Sequence, residues 1–342
     1  MSTWKKTIIN INFNLRNTIK NLNKSGFKIC MIKDDKNNFV GTITDGDIRR
    51  GLLKGMSLSD KINKIINKKS NYVDSYCSNL KANQIMRKKK LVHLPIVENK
   101  IIKGMHYIST KSKIPKNINN SFVIMAGGKG ERLRPITNKT PKPMIKINGK
   151  PMMEHIIVKA RDEGFENFVI LVHYLKNKIK NYFRDGKKLG VKIKYIEENK
   201  PLGTAGGISL LDKEVTKNFI LSNSDVLSNF RYKDLFDYHN KKNAFFTMAV
   251  KEIEVKESYG LVKLKGDEIV GFREKPISKK FINCGVYSLN KSVIKYIIKN
   301  KEIDMISLLK KINKNNKITA FPVYESWRDL SLKKFLNRNL KI

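Results

Sequence analysis

Long apolar runs are missing from this sequence of 342 residues, although hydrophobic side chains make up 40% of it. No stretch approaches the ~20 consecutive apolar residues that a membrane-crossing helix needs, so the chain reads as soluble and globular. Cysteine is scarce. Cys30, Cys77 and Cys284 lie far apart, with neither metal-type spacing nor a disulfide framework, and are expected as reduced, buried thiols. Acidic residues are few as well: 30 Asp and Glu face 70 Lys and Arg, a formal charge of +40 and an isoelectric point near 10.0. Such a balance raises nucleic-acid binding, yet the lysines are scattered through every segment among Asn and Ile instead of forming one tail or stripe. The excess reads as the compositional drift of an A·T-rich genome. Nucleic acid is therefore not an expected partner, although a polyanionic substrate would still be drawn in. The opening residues, MSTWKKTIIN, lack the apolar core of a signal peptide, so a cytoplasmic location is expected.

The length suggests about two domains at roughly 100–200 residues each. Up to about Pro115, short apolar runs alternate with helical ones. The pattern predicts a helix near Leu15–Leu22 and strands at Phe27–Ile32 and Phe39–Ile43, then a helix opened by Thr44 as N-cap with Asp45 and Asp47 in its first turn. A weaker second copy has a helix around Leu80–Lys88 and strands near Val92–Val97 and Ile101–Tyr107, which makes an internal repeat of roughly fifty to sixty residues. Lys111–Asn120, polar with one proline, reads as a linker, with residues 116–120 at its end.

A different pattern begins at Phe122. A buried-strand run, Phe122–Ala126, breaks into Gly127, Gly128, Lys129 and Gly130, with Arg132, Arg134, Lys139, Lys142 and Lys146 close behind. Glycine backbone can approach an anion with no Cβ in the way, and the cations can neutralise a polyphosphate. A tight turn beside scattered lysines would look the same in isolation. The loop is neither a Walker P-loop nor the dinucleotide G-x-G-x-x-G. Downstream, helices at Met152–Asp162 and about Lys176–Phe183 alternate with strands at Phe168–Val172 and Val191–Tyr195, the order of βαβ units in a mostly parallel sheet. Ala244–Val250, Gly260–Leu264, Ile269–Arg273 and Cys284–Leu289 follow as short strands, expected to form an antiparallel extension.

In full, MAGGKGERLRPITNKTPKPM resembles the signature of the sugar-1-phosphate nucleotidylyltransferases, and four further segments match that family in order. EENKPLGTAGGI (197–208) resembles the segment that reads the nucleobase. FILSNSDVL (219–227) ends in Asp225, which matches the family's Mg²⁺-binding Asp, with Ser224 in place of a usual Gly. REKP (273–276) and NCG (283–285) resemble the sugar-phosphate pocket, and ESWRDLS (325–331) matches Trp-x-Asp-x-Gly with Ser331 in place of Gly. The resemblance implies an α/β fold: a Rossmann-like, mostly parallel nucleotidyltransferase domain over 121–342. It further implies catalytic roles for Arg132, Lys142 and Asp225, and nucleotide contacts from Ala126, Gly127, Gly128, Gly130, Leu202, Gly203 and Thr204. Glu274, Lys275 and Asn283 would hold the sugar phosphate, and Asp225 and Asp329 would hold Mg²⁺.

FVGTITDGDIRRGLL resembles the end of a cystathionine-β-synthase (CBS) motif, so residues 1–115 are similar to a smaller α+β CBS pair. Thr44 and Asp47 match the positions that bind the phosphate and ribose of an adenine nucleotide, although they also serve simply to cap a helix. The second copy, KIIKGMHYISTKSK, has no equivalent Asp. Regulation by a nucleotide and association into a homo-oligomer are what the CBS resemblance implies. Among nucleotidylyltransferases the combination looks closest to bacterial guanylyltransferases of surface-glycan and nonulosonic-acid (legionaminic acid) pathways, which implies GTP and glucosamine 1-phosphate as substrates. Mannose- or heptose-1-phosphate guanylyl transfer, another triphosphate, and a catalytically silent nucleotide-sensing subunit are the alternatives.

Overall fold

A computed structural model describes residues 3–107 and 118–329. The chain divides into two compact units, Met1–Ile114 and Pro115–Ile342.

In the first unit a three-stranded sheet is built from β1 (Ile8–Asn10), β2 (Ile29–Lys33) and β3 (Phe39–Thr44), with β1 parallel and β3 antiparallel to β2. Helix α1 (Leu15–Ser25) starts at Asn14, whose side chain accepts from the Asn17 N–H at 2.9 Å, and ends at Gly26 with φ 73°. These are standard stop and start signals for a short helix. After α2 (Asp45–Leu53) the order recurs: α3 (Asn79–Lys88) precedes the antiparallel pair β4 (His93–Glu98) and β5 (Ile101–Tyr107). Helix, strand and antiparallel strand thus occur twice. The part of the second copy that would carry a counterpart to Asp47 lies outside the described residues. Cys30 is buried, but Cys77 is half exposed, in contrast to the expectation that all three thiols are buried.

The second unit is organised by a seven-stranded sheet. Its first strand, β6, covers Ile118–Ala126, so Ile118–Asn120 of the segment read as a linker lie within it. A small hairpin of β7 (Lys146–Ile147) and β8 (Lys150–Pro151) leads into α4 (Met152–Asp162), β9 (Phe165–Val172), α5 (Lys176–Phe183) and β10 (Lys192–Glu197). Then come β11 (Asn218–Asn223), β12 (Val226–Ser228), α6 (Tyr232–Lys242) and β13 (Phe246–Lys256). The chain continues through β14 (Leu261–Lys265), β15 (Glu268–Arg273), β16 (Ile277–Asn290), α7 (Met305–Asn313), β17 (Ile318–Pro322) and β18 (Trp327–Asp329).

The strand order is β10-β9-β6-β11-β16-β13-β17, parallel throughout except that β16 runs against both neighbours. Both faces are covered, which is why the central strands read as unbroken apolar runs and not as alternating ones. Phe122 and Ile124 point to a core shared with Ile156 of α4, Ile179 of α5 and Leu235 of α6, whereas Val123 points to one shared with Leu308 and Ile312 of α7. On the first side Phe122 meets Phe165, Phe168 and Tyr232 with ring centroids 5.4, 5.3 and 5.0 Å away. No helix among the described residues is long and apolar enough to cross a membrane. The antiparallel extension expected from the sequence is a ribbon: β13 and β16 stay paired as far as Lys256 and Ile277, and the hairpin β14–β15 is inserted at its far end.

Candidate active site

The parallel strands β6 and β11 end side by side, with Asn223 opposite Met125. Open α/β sheets bind ligands at such carboxyl ends. Beyond β6 the chain turns through Gly127, Gly128 and Gly130. Gly130 has φ 66°, and a Cβ there would lie 2.9 Å from Cγ2 of Thr137, whose hydroxyl donates to the Gly130 carbonyl at 2.9 Å. The turn is therefore pinned by a side chain seven residues on. Arg132 lies exposed beyond it, on the rim of a cavity of about 580 Å³ shared with the glycine loop, Lys142 and Thr204.

Pro141 precedes the short helical turn Lys142–Met144, which carries Lys142 back toward the end of β11. There its ammonium contacts Oδ2 of Asp225, both side chains being mostly buried, with 17% and 14% exposure. Asp225 immediately precedes β12, and β12 pairs with β18 so that Val226 lies opposite Asp329. Asp225 and Asp329 therefore stand at adjoining backbone positions of one two-stranded ribbon, although Asp329 is not among the residues lining the cavities. Its far side is held by the Trp327 indole N–H, which donates to the Cys284 carbonyl at 2.9 Å. Among the described residues no group of three or more metal-type side chains occurs. A pair of carboxylates nonetheless fits Mg²⁺, a hard cation that keeps several waters and uses one or two carboxylates plus substrate phosphates. Ser331 lies outside the described residues.

A second cavity, of about 340 Å³, opens between the glycine loop and the segment after β10, and it is lined by Leu202, Gly203, Thr204, Lys142 and Asp225 among others. Gly203 has φ 75°, and a Cβ would lie 2.7 Å from the Ile303 carbonyl oxygen, so only glycine fits there. The Thr204 hydroxyl accepts from the Met305 N–H at 2.8 Å, which ties the segment to the start of α7.

The same cavity holds Glu198, which the sequence reading passed over. Its side chain lies between two glycines: a Cβ on Gly207 would come within 2.6 Å of Oε1, and one on Gly127 within 3.1 Å of Oε2. Burial raises its carboxyl above the usual range, while the Leu202 N–H and nearby His173 pull the other way. The signal in the sequence was an acid directly after a strand and ahead of Pro-Leu-Gly-Thr. Asn223 was missed too. It sits against Gly285, φ 70°, where a Cβ would lie 2.6 Å from its Nδ2.

The remaining expected residues are placed differently. Asn283 turns its amide onto its own strand, donating to the Tyr287 hydroxyl at 2.7 Å and accepting from the Gly285 N–H at 2.8 Å. Glu274 and Lys275 stand at the exposed turn from β15 to β16, paired at 3.6 Å with side chains 77% and 56% exposed, and the structure does not bring them to either cavity. In the first unit, the Thr44 N–H and hydroxyl donate to the same Asp47 oxygen at 2.8 and 2.6 Å, and the other Asp47 oxygen meets Arg50.

A family model described as nucleotidyl transferase matches residues 121–340, which span the sheet and both cavities. The chain belongs to the nucleotidyl transferase family. Over 216 residues, 61% of this chain, it is 32% identical to a bifunctional protein GlmU of Methanocaldococcus jannaschii, covering 50% of that protein. It is 32% identical over 219 residues, 61% of this chain, to a probable mannose-1-phosphate guanylyltransferase 1 of Oryza sativa subsp. japonica, covering 60% of it. The chain thus spans about half the length of the first of these curated relatives. Among solved structures it resembles HddC from Yersinia pseudotuberculosis, with 25% identity, a TM-score of 0.51, and coverage of 63% of this chain and 95% of that one.

Proposed function

We propose that this nucleotidyl transferase moves a nucleoside monophosphate from a triphosphate to a sugar 1-phosphate, with release of pyrophosphate. The observation that carries the reading is the meeting of Lys142 and Asp225 at the mouth of the glycine loop. A cation and a metal-type carboxylate are thereby held where the α-phosphate of a triphosphate on that loop would lie.

The chain's own groups account for the chemistry. The N–H groups and small residues from Ala126 to Gly130, with Arg132 at the rim, hold the β- and γ-phosphates as the leaving pyrophosphate. Lys142 neutralises charge building on the α-phosphate as a phosphate oxygen of the acceptor attacks and the bond to the β-phosphate oxygen breaks. A sugar phosphate is already ionised at neutral pH, so no protein base is required, and positioning and electrostatics carry the rate. Asp225 and Asp329 would hold Mg²⁺, which supplies further charge stabilisation at the phosphates when bound. Glu274, Lys275 and Asn283 are assigned to the acceptor sugar phosphate on the sequence resemblance.

GTP is the triphosphate we favour. A buried carboxylate in the base cavity, Glu198, is complementary to the paired N1–H and N2–H donors of guanine, whereas uracil offers a single N3–H flanked by two carbonyl oxygens. Glucosamine 1-phosphate is the acceptor implied by the sequence resemblance to nonulosonic-acid guanylyltransferases. The first unit is read as a nucleotide-sensing CBS pair on its repeated helix–strand–strand order, with Thr44 and Asp47 at the phosphate and ribose. The cytoplasm, which supplies both substrates, is the proposed compartment. Pyrophosphate release with Mg²⁺, measured over four ribonucleoside triphosphates and a panel of glucosamine, N-acetylglucosamine, mannose and glucose 1-phosphates, tests the assignment. Release with GTP and glucosamine 1-phosphate alone supports it in full; release with another pair keeps the reaction and replaces the substrates.

A further inference from the structure

His173 and Tyr174, the two residues after β9, hold opposite sides of the candidate site. On one side the Glu198 N–H donates to the Val172 carbonyl at 2.9 Å, and the Glu198 carbonyl lies 2.8 Å from Nδ1 of His173. A carbonyl only accepts, so Nδ1 carries the proton and donates it. Both backbone polar groups of Glu198 are thus fixed from one strand end, with its carboxylate set between Gly127 and Gly207.

Tyr174 reaches the other way. Its N–H donates to the Gly127 carbonyl at 3.4 Å, and its hydroxyl is shared between the carbonyls of Thr137 and Asn138, at 3.0 and 3.2 Å. Lys178 of α5 donates to the next carbonyl, that of Lys139. Three successive carbonyls of the segment that joins the glycine loop to Lys142 therefore face donors from the β9–α5 connection. Thr137 in that segment is 1% exposed and pins the Gly130 carbonyl, and a Cβ on Gly130 would also lie 3.1 Å from Cβ of Lys142. Neither His173 nor Tyr174 lines a cavity, so each acts through other residues.

We propose that His173 and Tyr174 are positioning residues with separate duties: His173 orients Glu198 against the base, and Tyr174 orients the glycine loop and Lys142 against the phosphates. The inference rests on the proposed reaction, because it assigns the two ends of a nucleoside triphosphate to the two sides. Pyrophosphate needs only the phosphate side, whereas a triphosphate needs both. Loss of the Tyr174 hydroxyl should therefore weaken both ligands, and loss of the His173 donor only the triphosphate. A purely structural role would lower stability and affect the two ligands alike.

Equilibrium titrations of the full chain with Mg²⁺ test this, using pyrophosphate and whichever of the four ribonucleoside triphosphates the wild type binds most tightly. Tyr174→Phe should weaken both ligands about tenfold and lower kcat with little change in KM for the sugar phosphate, the scale of one lost hydrogen bond. His173→Leu should weaken the triphosphate about tenfold and leave pyrophosphate within about twofold of wild type. His173→Asn, whose amide nitrogen can stand in for Nδ1, should restore the affinity. Tyr182→Phe, which removes a hydroxyl bonded to Glu154 elsewhere on α5, should change neither ligand. A wild type that binds neither ligand overturns the proposed reaction and the inference together. Wild-type binding of both ligands overturns the inference alone if either variant is unchanged, or if His173→Leu weakens both alike. Should a variant fail to fold, hydrogen exchange of the wild type decides: pyrophosphate should slow the amides of 136–139 and 173–175 together with the glycine loop, and unchanged exchange at 173–175 refutes the coupling.

Discussion

Lys142 and Asp225 are 83 residues apart in sequence and meet as an ion pair at the sheet's carboxyl edge. The pairing joins the two halves of the site, because Lys142 follows the glycine loop and Asp225 leads into the ribbon that carries Asp329. Either side chain alone would be a mostly buried charge without its partner, which is costly unless a ligand supplies the opposite charge. A triphosphate with a divalent cation supplies both signs at once.

Glu198 governs the choice of base in this account. Glu198→Gln replaces one acceptor by an amide donor, so the preference for GTP over UTP should fall by about 10–100-fold, the effect of roughly 1.4–3 kcal/mol at a hydrogen-bonding site. Because burial raises the carboxyl of Glu198, its protonation as pH falls removes an acceptor sooner than for an exposed glutamate. GTP affinity should therefore weaken as pH falls, and the Gln variant should lose that dependence. Equilibrium titrations carried downward from neutral pH, wild type beside the Gln variant, would show the same profile for both if the idea is wrong.

Trp327 holds the ribbon bearing Asp329 to β16 through its indole N–H on the Cys284 carbonyl. Trp327→Phe keeps most of the ring but leaves that carbonyl short of a donor, a cost of about 1–2 kcal/mol. The expected outcome is a modest fall in melting temperature with a larger loss of kcat than of KM, since the displaced group is a carboxylate and not a binding pocket wall. An unchanged kcat would separate Trp327 from the site.

His239 is fully buried between α6 and the sheet, with Nδ1 on the Thr247 hydroxyl at 2.8 Å and Nε2 without a hydrogen-bond partner among the described residues. Burial lowers its pKa from 6.5 to about 4. The unfolded chain takes up a proton near pH 6.5 and the folded chain does not, so stability is present above that pH and is lost as pH falls toward about 4. The loss approaches about 3 kcal/mol at 1.36 kcal/mol per unit. His93 in the first unit, also lowered to about 4, acts in the same direction. Denaturant midpoints at pH 7 and pH 5 measure it, and His239→Gln should reduce the difference.

The central sheet was legible because its strands are short apolar runs set between periodic helices; α4 and α5 have the bounds that periodicity indicates. The glycine loop and Asp225 were legible as site candidates only through the family resemblance, since each in isolation would pass for a plain turn. Glu198 was not, because a glutamate in a polar segment carries no mark of burial until two glycines close over it. Helices α6 and α7 were missed because their apolar positions are interrupted by lysine and asparagine, and packing against the sheet decides them. The length of the β13–β16 ribbon escaped notice for a related reason: its outer half is solvated and patterned with charge.

The most direct test follows phosphorus by nuclear magnetic resonance as GTP, Mg²⁺ and glucosamine 1-phosphate are mixed with the full chain. The account predicts free pyrophosphate together with a new diphosphate joining guanosine to the sugar, and a rate reduced about 10²–10³-fold or more in Lys142→Ala and Asp225→Ala, the scale of losing a principal charge-stabilising group. No product from the folded wild type with any triphosphate and sugar phosphate, or near-normal turnover in either variant, would contradict it.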